Sequence, residues 1–231
     1  MSFNKFKDSK IKKIFKYQIY HLISFIILGL IIFFVFQNFK NQKAQLFIFS
    51  LNQIIFISWI SAGIFHAWIL FFWRLEFYRG KIKKWFGKRR FLIFKIGFII
   101  FGLTALLTII PVSYLSKNTL QISLFLKIIL LSLSTPFILW ALYSVIFYFG
   151  INRAFGADHF FAEYRKGVFV KKGTFKYFPN SMYTLVLLIL YHPGILFESF
   201  FGLIFAFCHH LFIWTHYYCT EKPDLKEIYK K

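Results

Sequence analysis

The chain has 231 residues, of which 58% are hydrophobic, 24% aromatic and only 16% charged, well below the roughly one quarter of a soluble domain. So much Phe, Ile and Leu excludes a solvated, disordered chain, and two cysteines, Cys208 and Cys219, exclude a secreted disulfide scaffold. The net charge of +21 would suggest nucleic acid on a soluble protein, but in a membrane protein Lys and Arg gather in cytoplasmic loops, so no nucleic-acid partner is expected.

The apolar residues fall in blocks long enough to cross a bilayer core of roughly 30 Å. The first, Ile19 to Phe36, follows six lysines between Lys5 and Lys16. Its basic front resembles the n-region of a signal peptide, but no small-residue cleavage site follows Phe34, Val35 and Phe36, so it reads as a retained anchor. The second, Ala44 to Trp73, carries no charge, although Asn52 and Gln53 lie inside it. The third runs from Phe91 to Leu115 and the fourth from Ile122 to Phe149, where Pro136 predicts a kink. The last apolar region, Met182 to Tyr218, is broken by Pro193 and Gly194. Its first part, Met182 to Tyr191, covers about half the hydrocarbon core at roughly 1.5 Å per residue. It therefore either begins earlier, near Phe178, or forms the short arm of a re-entrant hairpin.

Basic residues alternate between blocks: 24 fall on the side shared by the N-terminal tail, the 74–90 loop, the 153–176 loop and the C-terminal tail, against Lys40, Lys43 and Lys117 on the other. Lys95 and Lys127 sit one turn inside span ends, where their stems can snorkel. The expected fold is an all-α, polytopic membrane helical bundle with about six spans. The last two form a helical hairpin, and both termini face the cytoplasm. Residues 1–149 form a four-span membrane region, and 150–231 a cytosol-facing loop, hairpin and tail. No internal repeat is present, which argues against a transporter of paired halves.

Within the final helix, His210, Trp214, Tyr217 and Glu221 share one face at 100° per residue, with His209 and His216 on its flank. Leu211, Phe212, Thr215 and Cys219 lie opposite. This polar wedge suits either a buried site near the cytoplasmic surface or histidines that hydrogen-bond between helices. No pair of histidines has the i, i+3 or i, i+4 spacing that places two ligands on one helix face, so no metal is expected. No Ser lies in a nucleophile elbow, and Gly97 and Gly102 belong to an apolar span rather than a phosphate cradle. A nucleotide-like cofactor must then be gripped by the cytoplasmic ends of the membrane helices. Lys171, Lys172 and Lys176 are placed to meet anionic headgroups of the bilayer.

Two segments carry a family resemblance: Gly173-Thr-Phe-Lys-Tyr-Phe-Pro179-Asn-Ser-Met182-Tyr183, followed by the apolar hairpin, and Glu221-Lys-Pro223-Asp224-Leu-Lys-Glu-Ile-Tyr229. Together they resemble the C-terminal half of the membrane methyltransferases, which include phospholipid N-methyltransferases and isoprenylcysteine carboxyl methyltransferases. The resemblance covers about Gly150 to Tyr229. It implies an enzyme using S-adenosylmethionine, bound in a cytosol-facing pocket between hairpin and C-terminal segment, in the bacterial inner membrane or endoplasmic reticulum. Gly173, Pro179, Met182 and Tyr183 correspond to the cofactor-side motif, Glu221 to the acidic position after the last helix, and Tyr229 to the aromatic near the end. His210 and Tyr217, on the polar face, complete the expected cofactor-binding set. The Glu-x-Pro-Asp arrangement is closer to the phospholipid branch, so the implied substrate is a lipid or lipidated molecule, first a phospholipid headgroup amine, second the carboxylate of a prenylated cysteine.

Methyl transfer is an in-line displacement governed by alignment, so neither metal nor strong nucleophile is required. An amine acceptor must lose a proton, and His216 and Glu221 are the candidate catalytic residues to receive it. A transporter, a structural membrane protein and a reductase of the sterol type remain as other readings, separated by which cofactor, if any, the protein binds.

Overall fold

Residues 11–38, 44–166 and 170–229 are described by the computed structural model. Lys5, Lys7, Lys10, Lys40, Lys43, Lys230 and Lys231, part of the charge asymmetry, lie outside them. Five helices are long and apolar enough to cross a membrane: Ile11–Gln37, Leu51–Arg79, Lys81–Leu115, Leu124–Phe149 and Phe200–Ile228. A shorter apolar helix, Ser181–Leu196, precedes the last of them. It starts after Phe178 and includes a 3-10 stretch, Val186–Tyr191, that rises about 2 Å per residue. The architecture is the expected all-α polytopic bundle, with five full-length helices and one short hairpin arm rather than six equal spans.

Local sequence explains where these helices start and break. The second span begins at Leu51 rather than Ala44, because a small hairpin pairs Gln45–Leu46 with Phe49–Ser50. Ser50 then caps the helix through a capping box with Gln53, which gives a buried-looking polar residue an N-terminal task. At its other end the span continues past Trp73 to Arg79 and stops at Gly80 in the left-handed region. The third span is interrupted at Thr108, since Pro111 has no N–H to offer Leu107. Thr108 Oγ1 reaches back to the Thr104 carbonyl at 2.7 Å and across to Ser58 Oγ at 2.6 Å. Pro136 does not end the fourth helix, which runs from Leu124 to Ser144 and closes in a π-helical turn, Val145–Phe149.

The second and third spans pack closely at Gly97, where a Cβ would lie 2.3 Å from the Trp68 ring. One core cluster joins Leu28, Trp59, Ala105, Phe201, Phe205 and Phe212 from four spans. A second, at the end bearing the basic loops, joins Ile69, Trp73, Phe94, Ala157 and Phe160. The fourth span is the least enclosed: Phe125, Leu133, Leu139 and Phe147 stay exposed, as a lipid-facing helix requires.

One fully buried side chain organises that end of the bundle. Arg74 has 0% exposure although it stands where sequence suggests a solvated loop. Its Nε donates to both carboxylate oxygens of Asp224 at 3.1 Å. Nη1 donates to the carbonyls of Ile14 and Lys16, each at 2.9 Å, where the first span breaks at left-handed Tyr17. Nη2 donates to the carbonyl of Cys219 at 2.9 Å and to that of Thr220 at 3.4 Å, within the π-helical turn Tyr217–Glu221. All of its N–H groups thus meet acceptors. Tyr78 adds a hydrogen bond to Asp224 at 3.1 Å.

Removing one member of a buried ion pair leaves the other charge uncompensated and typically costs about 3–5 kcal/mol. Arg74→Met should destabilise the detergent-solubilised protein by about that amount. Adding Asp224→Asn should recover part of the loss, measured as denaturant unfolding in a double-mutant cycle. Additive effects would mean that the two side chains act independently.

Candidate functional site

Residues 150–166 fold over the end of the second span as two short helices, Ile151–Ala154 and Ala157–Phe160, hinged at Gly156. Gly156 has φ +73°, and a Cβ there would lie 2.4 Å from the Trp73 ring, so the close approach requires glycine. That approach stacks His159 on Trp73 with centroids 4.2 Å apart. His159 Nδ1 is 3.0 Å from Asp158 Oδ1, while its Nε2 faces Asp224 Oδ2 at 3.7 Å, an ionic contact longer than a hydrogen bond. The Tyr229 hydroxyl donates to Asp158 Oδ2 at 3.0 Å, which ties the chain's end to the loop. Arg165 fixes the loop backbone by donating to the carbonyls of Asp158 (2.7 Å) and His159 (3.1 Å).

Burial alone would keep His159 neutral, but the hydrogen bond to Asp158 and the charges of Asp158 and Asp224 outweigh it and raise its pKa to about 9. Burial likewise opposes ionisation of Asp158, yet the His159 partnership, the Tyr229 hydroxyl and the Arg153 charge hold its pKa below the usual value. Burial and the adjacent Asp158 carboxylate push Tyr229 up to about 12.

Above this floor lies a cavity of about 850 Å³, counting its open mouth. All of its lining except Trp73 and Phe149 comes from the region after Gly150. Asn180, Met182 and Tyr183 enter from the start of the hairpin, Tyr217, Glu221, Leu225 and Tyr229 from the last helix, and Arg153, Asp158 and His159 from the loop. The Tyr183 hydroxyl donates a hydrogen bond to the Glu221 carboxylate. The Tyr183 ring packs on Trp214 and Tyr217 at 5.7 and 5.3 Å. Arg153 donates from Nη2 to the Tyr164 carbonyl at 3.0 Å, but its buried Nε has no partner.

A second cavity, apolar and about 1,100 Å³ with its open side, adjoins the first. The two share Trp73, Ala154, Met182 and Tyr183 as a common wall. The second is bounded by Phe98, Ile99 and Leu103 of the third span and by Val186 and Leu187 of the hairpin arm. Ile99 and Leu103 are themselves exposed, so this cavity borders the lipid-facing surface. His66 and His216 are its polar lining.

Six of the residues singled out by sequence therefore meet at the first cavity: Pro179, Met182, Tyr183, Tyr217, Glu221 and Tyr229. His216 lies in the second cavity, behind the shared wall. His210 lines neither; its Nε2 is 2.7 Å from the Tyr183 carbonyl and its Nδ1 is 3.0 Å from the Tyr191 hydroxyl, so it holds Tyr183 in place. Gly173 also stands outside, at φ +56°, with its position against Ser144 so tight that a Cβ would come within 2.3 Å of that hydroxyl. Trp73, Arg153, Asp158 and His159 escaped sequence reasoning. Their signal was scarcity: three of only eight acidic residues, Asp158, Glu221 and Asp224, converge at this end of the bundle.

Fold and site together define an integral membrane helical protein with a polar cavity at one end, joined through a thin wall to an apolar one that borders the bilayer. Residues 122–231, from the fourth span to the last helix, match the Phospholipid methyltransferase family, in keeping with the membrane methyltransferase superfamily. No curated protein and no solved structure matches the chain. The residues present suit S-adenosylmethionine. The buried Arg153 Nε without a partner is a donor for a carboxylate, Glu221 and Asp158 complement cationic groups, and Phe149, Phe175 and Tyr217 offer aromatic faces.

His159 has a folded pKa above its ordinary value of 6.5, so its contribution to stability is complete below pH 6.5 and is lost as pH rises through about 9. Thermal unfolding in detergent should show the midpoint falling across this window. His159→Gln should lower the midpoint at pH 6 and flatten the decline between pH 6.5 and 9; an unchanged slope would remove the imidazolium from the account.

Proposed function

We propose that the protein moves a methyl group from S-adenosylmethionine to a membrane-embedded amphiphile, most directly the headgroup amine of a phospholipid. The observation that carries this reading is the pair of adjoining cavities, one polar and one apolar, separated only by Trp73, Ala154, Met182 and Tyr183. A water-soluble methyl donor and a lipid acceptor need two such compartments, with a short path between them.

S-adenosylmethionine supplies an electrophilic methyl group on a sulfonium. Glu221 and Asp158 would hold its amino or hydroxyl groups, Arg153 its carboxylate, and Tyr217 and Tyr229 its flanks. Pro179, Met182 and Tyr183 shape the side of the cavity that opens on the hairpin. Gly173 and His210 act one step removed, the first by the turn that enters the hairpin and the second by fixing Tyr183. The acceptor enters from the bilayer between Ile99 and Leu103 on one side and Val186 and Leu187 on the other, tails first in hydrocarbon and headgroup toward the wall. Trp73 and Tyr183, both aromatic, line the place where the two positive centres approach, which favours cations by cation–π attraction. His216 is the group on the acceptor side that can take the amine's proton, and Glu221 is the alternative base on the donor side.

Arg153, Val170 and Phe175 of the basic 153–176 segment line the polar cavity, and the excess of Lys and Arg on this side supports a cytoplasmic orientation for it and for both termini. The division at residue 149 separates a supporting membrane region from the site-bearing one, with Trp73 and Phe149 as the contributions of the first. Lys171, Lys172 and Lys176 beside the mouth suit anionic headgroups.

Purified protein given methyl-labelled S-adenosylmethionine and a total lipid extract should label N-methylated phospholipid; label in a carboxyl ester instead would favour the prenylated-cysteine chemistry, and binding of neither donor nor product analogue would reject the assignment. Glu221→Gln should weaken S-adenosylhomocysteine binding by about 1.5–3 kcal/mol, read by calorimetry, because a charged acceptor is lost. His216→Ala should lower turnover on an amine by roughly 10²–10⁴-fold while sparing cofactor affinity, with the smallest loss at high pH, where the amine is already deprotonated. Undiminished turnover at every pH would discard His216 as a base.

A further inference from the structure

Methylation of an ammonium headgroup releases one proton for each methyl transferred. The nitrogen lone pair forms the new N–C bond, the C–S bond breaks with its electron pair remaining on sulfur, and the nitrogen's proton must leave the site. His216 faces an apolar cavity and the shared wall, so a proton received there has no bulk water beside it. The residues behind His216 offer a way out.

His66 stacks on His216 with centroids 4.9 Å apart and planes inclined by 15°. His21 completes a triangle, 5.3 Å from His66 and 5.6 Å from His216. All three are buried, and four of their ring nitrogens have no protein partner: both of His216, Nδ1 of His66 and Nε2 of His21. Centroid spacings near 5 Å place such nitrogens within reach of one bridging water, and a buried water requires two or more polar partners of this kind. Phe65 and Phe212 pack against the His66 ring. His21 is oriented toward the surface by its Nδ1, 3.3 Å from Gln18 Oε1. Gln18 is only half-buried and adjoins exposed Tyr17 and Lys16, at the end of the bundle that carries the basic loops.

The hydrogen-bonding groups of the charged and titratable neighbours are engaged elsewhere. Arg74, nearest to His21 and His216, spends every N–H on Asp224 and main-chain carbonyls. His159 is paired with Asp158, and His209 is 3.3 Å from Ser58 Oγ. Among the described residues no group of three or more His, Cys, Asp and Glu side chains is arranged to hold a metal ion.

We propose that His66 and His21 form an internal proton exit, relaying the proton taken by His216 to water at the surface of the bundle beside Gln18, whose Oε1 orients the His21 ring by accepting a hydrogen bond from it. This rests on the methyltransferase reading and on an amine acceptor. In it His66 and His21 are positioning and relay residues, since neither touches the reacting atoms.

The test uses full-length protein in nanodiscs, ¹⁵N-labelled at histidine, with His66→Phe and His21→Phe as shape-preserving variants. Two readouts are taken: exchange of the His216 ring N–H with deuterated solvent by NMR, without donor present, and turnover on phosphatidylethanolamine across pH. The relay predicts that His66→Phe slows His216 exchange and amine turnover at least tenfold, with S-adenosylhomocysteine affinity unchanged, and that His21→Phe does the same to a lesser degree. Normal exchange and normal turnover in a folded His66→Phe, with an active wild type, would overturn the relay alone. A wild type that binds no S-adenosylhomocysteine and methylates no amine would overturn the methyltransferase reading, and the relay with it.

Discussion

The arrangement at the site end of the bundle depends on one guanidinium. Arg74 joins three segments far apart in sequence: the broken start of the first span, its own helix, and the π-helical turn that leads out of the last span. The first and the last of these carry irregularities that free main-chain carbonyls, which would be costly to bury without a donor. The same residue pairs with Asp224, and Asp224 in turn faces His159. The floor of the polar cavity is thus built outward from a buried charge that the surrounding backbone demands. An Arg suits this position because its fork presents five donors in fixed directions, which a Lys could not reproduce.

From that floor the two cavities follow as consequences of backbone geometry. His216 and Glu221 stand at the two ends of the π-helical turn of the last helix, and one looks into the apolar cavity and the other into the polar one. Gly156 lets the loop press Trp73 against His159, and Trp73 then serves as wall to both compartments. Tyr183, held by Glu221 at its hydroxyl and by His210 at its carbonyl, forms the facing part of the wall.

Much of this was legible in the sequence, and the limits have physical causes. Apolar blocks gave the spans because a bilayer imposes length and composition on anything that crosses it. Their ends were less legible: the second span starts seven residues late because Gln45–Ser50 turns back on itself, and it runs on past Trp73 because Arg74 and Glu76 find buried partners. At the site, the spacing of His210, Trp214, Tyr217 and Glu221 identified a real face, since all four meet around Tyr183. The role of His210 as a support rather than lining depends on the hairpin arm, which no helical periodicity describes. Asp158, His159 and Arg153 sit in a loop with left-handed glycine hinges, where side-chain direction is set by tertiary contacts and leaves no periodic trace.

The central claim is that donor and acceptor occupy separate cavities on either side of the Trp73–Tyr183 wall. A cryo-EM structure of the nanodisc-embedded protein with S-adenosylhomocysteine and phosphatidylethanolamine tests it most directly. The account predicts S-adenosylhomocysteine among Arg153, Asp158, Tyr217 and Glu221, and a lipid headgroup beside His216 with its tails leaving past Leu103 and Val186. Density for both molecules in one cavity, or for S-adenosylhomocysteine at the opposite end of the bundle, would contradict it.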